Sequence, residues 1–389
     1  MSRNKEIQDL LTRGVEEIID QEHLELVLAS GKKLRIKLGI DPTSPNIHIG
    51  RAVLLWKLRA FQDLGHTAVF IVGDATGVIG DTSDKESERV MLTEEQIKAN
   101  MKNYLEQAFK ILDSKKTETH YNSEWLFQLN FREIAKMANL FGLHEFESRE
   151  IIAKRMKAGQ RVSFHELLYP LMQGYDSVAV KADIELGGTD QRFNLLTGRR
   201  IQPAYSQEPQ DILMTTLLEG TDGRKMSSSW GNVINITDEP NDMFGKVMSI
   251  NDDLIIKYFK LATKVSLDDI KNIEQQLQEG VNPKEIKTRL AKEIVSLYHS
   301  ENSSIKAKEE FDKVFSKKEL PENIQEAENR GTLLATSVAA GIVSSNSEMK
   351  RLIEQKAVKV NNEVVENWDQ ELKSGDIVKV GPRKFIRIK

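Results

Sequence analysis

At 389 residues, 39% hydrophobic and 29% charged, the chain is long enough for two or three globular domains and too apolar to be disordered. It has no cysteine, which excludes disulfides, thiolate nucleophiles and cysteine zinc sites. The seven histidines are never closer than eighteen positions, so local metal-ligand spacings are missing and no protein metal site is expected.

The N-terminus, MSRNKEIQDLL, has no apolar leader core, and no apolar run approaches the ~20 residues that span a bilayer; a cytoplasmic protein without a membrane partner is expected. Residues 1–28 show helical periodicity. LRIKLGI (34–40) reads as a strand, and 49–64 as a helix stopped by Gly65. TAVFIV (67–72) is a second buried strand. A helix opening on a Thr93–Gln96 capping box runs to Leu112, and TETHYN (117–122) is a third strand. Asn130 and Glu133 cap a further helix. ADIELG (182–187) and DILMTT (211–216) are strands separated by the helix after Asp190. This alternation predicts a doubly wound parallel sheet, whose ligands bind beyond the carboxyl ends of the strands. From Asn241 to Phe315 only helical patterns follow. Residues 316–331 read as a polar linker, and the remainder as a small α+β unit with a hairpin turn at Asn361-Asn362. Residues 350–389 carry ten Lys/Arg against six Asp/Glu, a local +4 in a chain of net −4, which suits phosphate backbones as well as a solvated face.

Four stretches carry chemistry. In IKLGIDPTSPNIHIGR (36–51) the prolines end a strand, and His48 and Gly50 open a helix. A histidine there either caps the helix or donates to a phosphate, and the missing Cβ of glycine admits a flat base or ribose. GDATGVIGD (73–81) is a tight turn that either serves the backbone alone or leaves Asp81 in the crevice. Tyr169, Gln173 and Asp176 fall on one helical stripe, a poor core face unless something polar fills it. Beyond them, Gly187-Gly188 allows close backbone approach, and Asp190 either caps its helix or holds ribose hydroxyls. DGRKMSSSWGN (222–232) is a glycine- and serine-rich loop whose Arg224 and Lys225 can swing onto phosphate.

Taken together, HIGR (48–51), GGTDQ (187–191) and KMSSS (225–229) stand in the order and spacing of class I aminoacyl-tRNA synthetases, and the chain resembles the tyrosyl branch of that family nearly end to end. The resemblance implies a Rossmann-like catalytic domain over 1–235, a helical anticodon-recognition domain over 236–320 and an S4-like RNA-binding domain over 330–389. It implies a tyrosine–tRNA ligase using ATP with Mg²⁺, a tRNA partner, a homodimer and no DNA partner. By position, Thr43 and His48 would contact the ATP phosphates, and Gly50, Gly188 and Asp190 would hold adenosine and ribose. Lys225, Ser227 and Ser228 would grip pyrophosphate, with Lys85 and Arg89 opposite. Asp41, Asp81, Tyr169 and Gln173 would surround the tyrosine ammonium, Gln191 its carboxylate, and Asp176 would accept the phenol O–H. Lys350, Arg351, Lys356 and Lys359 are the candidate tRNA contacts. Three positions depart from the family pattern: Arg51 replaces the second histidine of HIGH, a cation able to substitute near phosphates. Ser228 replaces a lysine, with Arg224 just upstream, and Lys37 replaces a second phenol-binding tyrosine. Three rivals share parts of this pattern. A tryptophanyl enzyme lacks the Tyr169–Gln173–Asp176 stripe, a tRNA-independent adenylate-forming ligase has no use for the basic tail, and a non-catalytic RNA-binding descendant would show no ATP-dependent activity.

Overall fold

The computed structural model describes residues 3–81, 91–316, 324–343, 345–381 and 384–389; Lys85 and Arg89 lie outside the described residues. Six strands form the main sheet: β1 (Val15–Ile19), β2 (Arg35–Ile40), β3 (Thr67–Val72), β4 (Thr117–Tyr121), β5 (Ile184–Gly188) and β6 (Asp211–Thr215). Their order is β1-β6-β5-β2-β3-β4, with β2 to β6 running parallel to their neighbours and β1 antiparallel to β6. From β2 the chain builds outward through β3 and β4, then returns to lay β5 and β6 on the other side. The β2/β5 boundary is therefore the switch point where a doubly wound sheet opens its ligand crevice. Every residue of β5 and β6 is buried, as expected of strands covered on both faces.

Three local expectations are corrected. Residues 1–28 do not form one helix: Arg3–Thr12 is helical, Gly14 sits at φ 63°, and Val15–Ile19 pairs with β6. β-Branched Val15, Ile18 and Ile19 gain more from a sheet edge than from a helix face. The 93–112 helix keeps its capping box but breaks at Asn103 (φ −119°, ψ 15°) into Glu94–Met101 and Tyr104–Ala108. Each piece then bonds the loop after β2, Asn100 to the Pro42 carbonyl at 2.9 Å and Gln107 to the Pro45 carbonyl at 2.8 Å. The polar 316–331 stretch contains a strand, β7 (Gln325–Ala327), parallel to the last strand of the chain.

The chain divides into two compact units, Met1–Asp238 with Ser249–Ile294, and Glu239–Met248 with Val295–Lys389. The helices Ile255–Ala262 and Leu267–Gln278 belong to the first unit, and Pro240–Met248 and Glu301–Phe311 to the second. The second unit also holds a five-stranded sheet of β7, β8 (Val358–Val360), β9 (Glu363–Val364), β10 (Ile377–Val380) and β11 (Lys384–Ile388), ordered β7-β11-β10-β8-β9. Asn361 and Asn362 turn the β8–β9 hairpin with φ of 50° and 73°, the doubly positive geometry that asparagine tolerates. Leu333, Met349, Val358, Val378 and Ile386 form its fully buried core. Among the described residues, no helix is long and apolar enough to cross a membrane.

Candidate active site

A cleft of about 630 Å³ opens at the carboxyl ends of β2, β3 and β5. One residue past β2, Asp41 accepts a hydrogen bond from Thr76 Oγ1 at 2.7 Å on one oxygen and from Tyr169 OH at 2.8 Å on the other. A Cβ on Gly73 would collide with that carboxylate, so the chain needs glycine where β3 ends.

His48 is the N-cap of the Ile49–Asp63 helix, and its Nδ1 accepts the backbone N–H of Arg51 at 3.3 Å. The loop leading to it is pinned by Ile49 N–H on the Ile234 carbonyl at 2.8 Å. Burial, reinforced by the charges of Arg51 and Lys225, holds the His48 pKa well below its usual value. The ring is therefore neutral at pH 7, and with Nδ1 accepting, its proton sits on Nε2, a donor for an anion at the helix N-terminus. Gly50 has room for no side chain without crowding: a Cβ would lie 3.1 Å from His48 Nδ1. The Arg51 guanidinium reaches back to Thr43 Oγ1 at 2.8 Å and to Tyr104 OH at 3.0 Å, so it braces the phosphate-side loop.

The stripe of the Phe164–Val180 helix faces the other end of the cleft. Asp176 is fully buried, accepting from Trp125 Nε1 at 2.7 Å and from Asn122 Nδ2 at 3.2 Å. Burial raises its pKa to about 7, opposed by the Lys37 charge and by both hydrogen bonds. Gln173 donates to Glu185 Oε1 at 3.2 Å, and Gln191 donates to Asp81 Oδ2 at 2.6 Å, joining residues from opposite sides of the switch point. Arg149 comes within 4.0 Å of Asp81.

At the third side, Gly188 is forced by Asp190, whose Oδ1 would lie 2.5 Å from a Cβ there. Lys225 donates to Asp190 Oδ2 at 2.7 Å, so the loop's cation rests on the carboxylate at the start of the next helix. Ser227 N–H is held by Asn232 Oδ1 at 2.8 Å, and Ser228 Oγ donates to Ser44 Oγ at 3.1 Å, bringing the 225–229 loop against the loop after β2. Arg224 does not turn toward the cleft: it pairs with Asp222 and lies over the Trp230 ring at 4.6 Å.

The structure thus gathers Asp41, Thr43, His48, Gly50, Arg51, Asp81, Tyr169, Gln173, Asp176, Gly188, Asp190, Gln191, Lys225, Ser227 and Ser228 around one cleft. The tail cations belong to the second unit. Lys350 lies over the Trp368 ring at 4.4 Å, Arg351 and Lys356 are exposed, and Lys359 pairs across the sheet with Lys379. Sequence reading missed Asn122, Trp125, Glu185 and Arg149. Asn122 was within reach, since it ends the stretch read as the third strand, where a crevice residue belongs. Among the described residues, one cluster has metal-ligand spacing, Asp20, His23 and Asp211. It lies where β6 begins, at the opposite end of the sheet, and Arg199 already donates to both carboxylates at 3.1 and 3.4 Å.

One end of the cleft is therefore lined by carboxylates and amides. The other is a helix N-terminus with a neutral histidine, hydroxyls and a lysine. That polarity suits an amine-bearing, hydroxyl-tipped molecule meeting a polyphosphate.

Comparison with known proteins agrees. Residues 29–316 match the model of the tRNA synthetases class I (W and Y), and residues 334–378 that of the S4 domain. The chain is 48% identical to a tyrosine–tRNA ligase of Carboxydothermus hydrogenoformans, covering 98% of this chain and 97% of the other. It is 46% identical to one from Thermotoga maritima, covering 97% and 96%. Its fold is similar to that of an Archaeoglobus fulgidus tyrosyl-tRNA synthetase solved with L-tyrosine, at TM-score 0.63 and 22% identity over 79% of this chain and 100% of that one. A truncated mitochondrial tyrosyl-tRNA synthetase of Aspergillus nidulans gives 0.66 at 21% identity, over 80% and 94%.

Proposed function

The chain belongs to the tryptophan and tyrosine group of class I tRNA synthetases, and from that membership we infer that its reaction is ATP-dependent ligation of tyrosine to tRNA. The tyrosine carboxylate attacks the α-phosphorus of ATP, releasing pyrophosphate and leaving tyrosyl-adenylate. A ribose hydroxyl at the 3′ end of tRNA then attacks the tyrosyl carbonyl, and AMP leaves. The first nucleophile is already ionised, so the protein needs to position charges rather than supply a base.

The observation that carries the choice of tyrosine is Asp176, a carboxylate buried at the floor of the cleft with donors on both oxygens. A phenol O–H adds a donor to one of its remaining lone pairs, whereas phenylalanine brings none. We assign Asp41, Asp81, Tyr169 and Gln173 to the amino-acid ammonium, and Gln191 to its carboxylate. Thr43 and His48 act on the phosphates, with Arg51 holding Thr43 in place. Gly50, Gly188 and Asp190 take adenosine and ribose. Lys225, released from Asp190, joins Ser227 and Ser228 on the departing pyrophosphate.

Each cleft carboxylate already has a protein donor, so the donor set fits a Mg²⁺ carried on ATP rather than a protein cage; Thr43, Ser227 and Ser228 are the hydroxyls placed to serve it or its waters. When bound, that ion neutralises phosphate charge. We assign the helical segment 236–320 to the anticodon region and the S4-type module, with Lys350, Arg351, Lys356 and Lys359, to the tRNA body. A homodimer is supported by Phe127, Phe131, Leu143 and Phe164, which are 73%, 85%, 60% and 73% exposed on or beside helices that share one core. We place the protein in the cytoplasm, a compartment that supplies both ATP and tRNA.

The test is charging of bacterial tRNA with labelled amino acids. Esterification by tyrosine alone is expected; preferential charging with tryptophan would contradict the assignment.

A further inference from the structure

Lys37 stands in β2 between the buried Ile36 and Leu38 and is itself wholly buried. Its ammonium has three donors, and three acceptors meet it: Glu185 Oε1, the Gln173 carbonyl and Ser177 Oγ, each at 2.8 Å. Glu185, from β5, is 1% exposed and equally saturated. Gln173 donates to Oε1 at 3.2 Å, Ser177 Oγ to Oε2 at 3.0 Å, and Gln210 Nε2 also to Oε2. Gly198 leaves the space this network needs, since a Cβ there would lie 2.8 Å from Gln210 Nε2 and 2.9 Å from Ser177 Oγ.

A buried ion pair is a costly way to fill a core that apolar side chains could fill as well. This pair sits across the switch point, and two of its bonds grip residues 173 and 177. Those two residues enclose Asp176 within one helical turn. With all three N–H groups committed, Lys37 has nothing to offer substrate directly. We propose that Lys37 is a specificity-positioning residue, its ammonium fixing the turn that carries Asp176 and supplying the positive charge that keeps that side chain a carboxylate acceptor for the phenol. The proposal rests on the tyrosine reading above.

Asp176 is faced by Lys37 from β2 and Glu185 from β5, and by the neutral Asn122 and Trp125 after β4. His120 of β4 lies against the Trp125 ring at 5.7 Å, and Asp41 and Asp74 are tied to Thr76 and Ser123 nearby. Of the two charges acting on Asp176, that of Lys37 is the larger and lowers its pKa, while Glu185 raises it. Removing Lys37 therefore moves Asp176 upward, and removing both charges moves it upward by less.

The experiment is tyrosine-dependent ATP–pyrophosphate exchange from pH 5.5 to 9, with phenylalanine as competitor substrate, in wild type, Lys37→Met and Lys37→Met/Glu185→Gln. In the wild type kcat/KM for tyrosine rises through an ionisation near pH 7. In Lys37→Met that limb shifts up by about one unit, and the tyrosine-over-phenylalanine preference at pH 7 falls by about fivefold. The double variant leaves no lone buried charge and gives a smaller shift in the same direction, so it carries the reading if Lys37→Met does not fold. A folded double variant with an unmoved limb and intact preference overturns the proposal, because a merely structural lysine would change melting and not the profile. Absence of tyrosine-dependent exchange in the wild type would instead overturn the functional reading on which the proposal stands.

Discussion

Burial raises the pKa of Asp176 to about 7 although Lys37, Trp125 and Asn122 pull it down, so the folded chain sheds this proton only near neutral pH. The unfolded chain loses the same proton near pH 4, so the stability this group contributes is complete below about pH 4 and is lost as pH rises to about 7, at roughly 1.4 kcal/mol per unit. Ligand-free Asp176→Asn should therefore gain melting temperature relative to the wild type at pH 8 compared with pH 5, while losing tyrosine activation; an equal Tm difference at both pH values would contradict it. His48 works in the opposite protonation regime. Its pKa is held low by burial and neighbouring cations, so no histidine ionisation should appear in the exchange rate between pH 6.5 and 9. His48→Asn can keep the cap while losing the Nε2 donor, and should lower kcat by about 10²–10³ with little change in tyrosine KM; a change confined to KM would count against the assignment. At this scale HIGR announced a helix N-cap, but not which nitrogen faces the phosphates, because that depends on the Arg51 N–H bound in three dimensions. Lys37 was visible only as a departure from the family pattern; Glu185, which makes sense of it, lies 148 residues away.

The 220–232 loop is an element held by one side chain. Asn232 accepts Ser227 N–H at 2.8 Å, donates to Asp222 Oδ1 at 2.7 Å and to the Lys225 carbonyl at 3.1 Å. Asn232→Ala should loosen Lys225 and the serines together, raising KM for ATP and lowering kcat by roughly tenfold each, with tyrosine affinity unchanged in a binding titration. Loss of tyrosine binding in that variant would mean the loop serves the wrong end of the cleft. The parallel strands were legible because full burial writes continuous apolar runs such as TAVFIV. β1 was not, since Val15, Ile18 and Ile19 fit a helical period too and only β6 decides between them. β7 was hidden in a polar stretch because two of its three residues are exposed.

For the whole molecule, catalysis and tRNA capture should separate. Neutralising Lys350, Arg351, Lys356 and Lys359 together should weaken tRNA binding and flatten its salt dependence, by roughly 0.7–0.9 in log–log slope for each phosphate no longer neutralised, without altering ATP–pyrophosphate exchange. An unchanged slope would remove the tRNA role from these cations. If the exposed phenylalanines cover a partner copy, Phe131→Asp with Phe164→Asp should shift sedimentation from dimer to monomer, and a monomeric wild type would contradict that assembly. The measurement that tests the central claim most directly is ATP–pyrophosphate exchange with tyrosine, phenylalanine and tryptophan, in the wild type and in Asp176→Ala. Exchange driven by tyrosine and abolished in the variant is the predicted result. Exchange driven by tryptophan, or tyrosine exchange that survives in Asp176→Ala, would contradict the account.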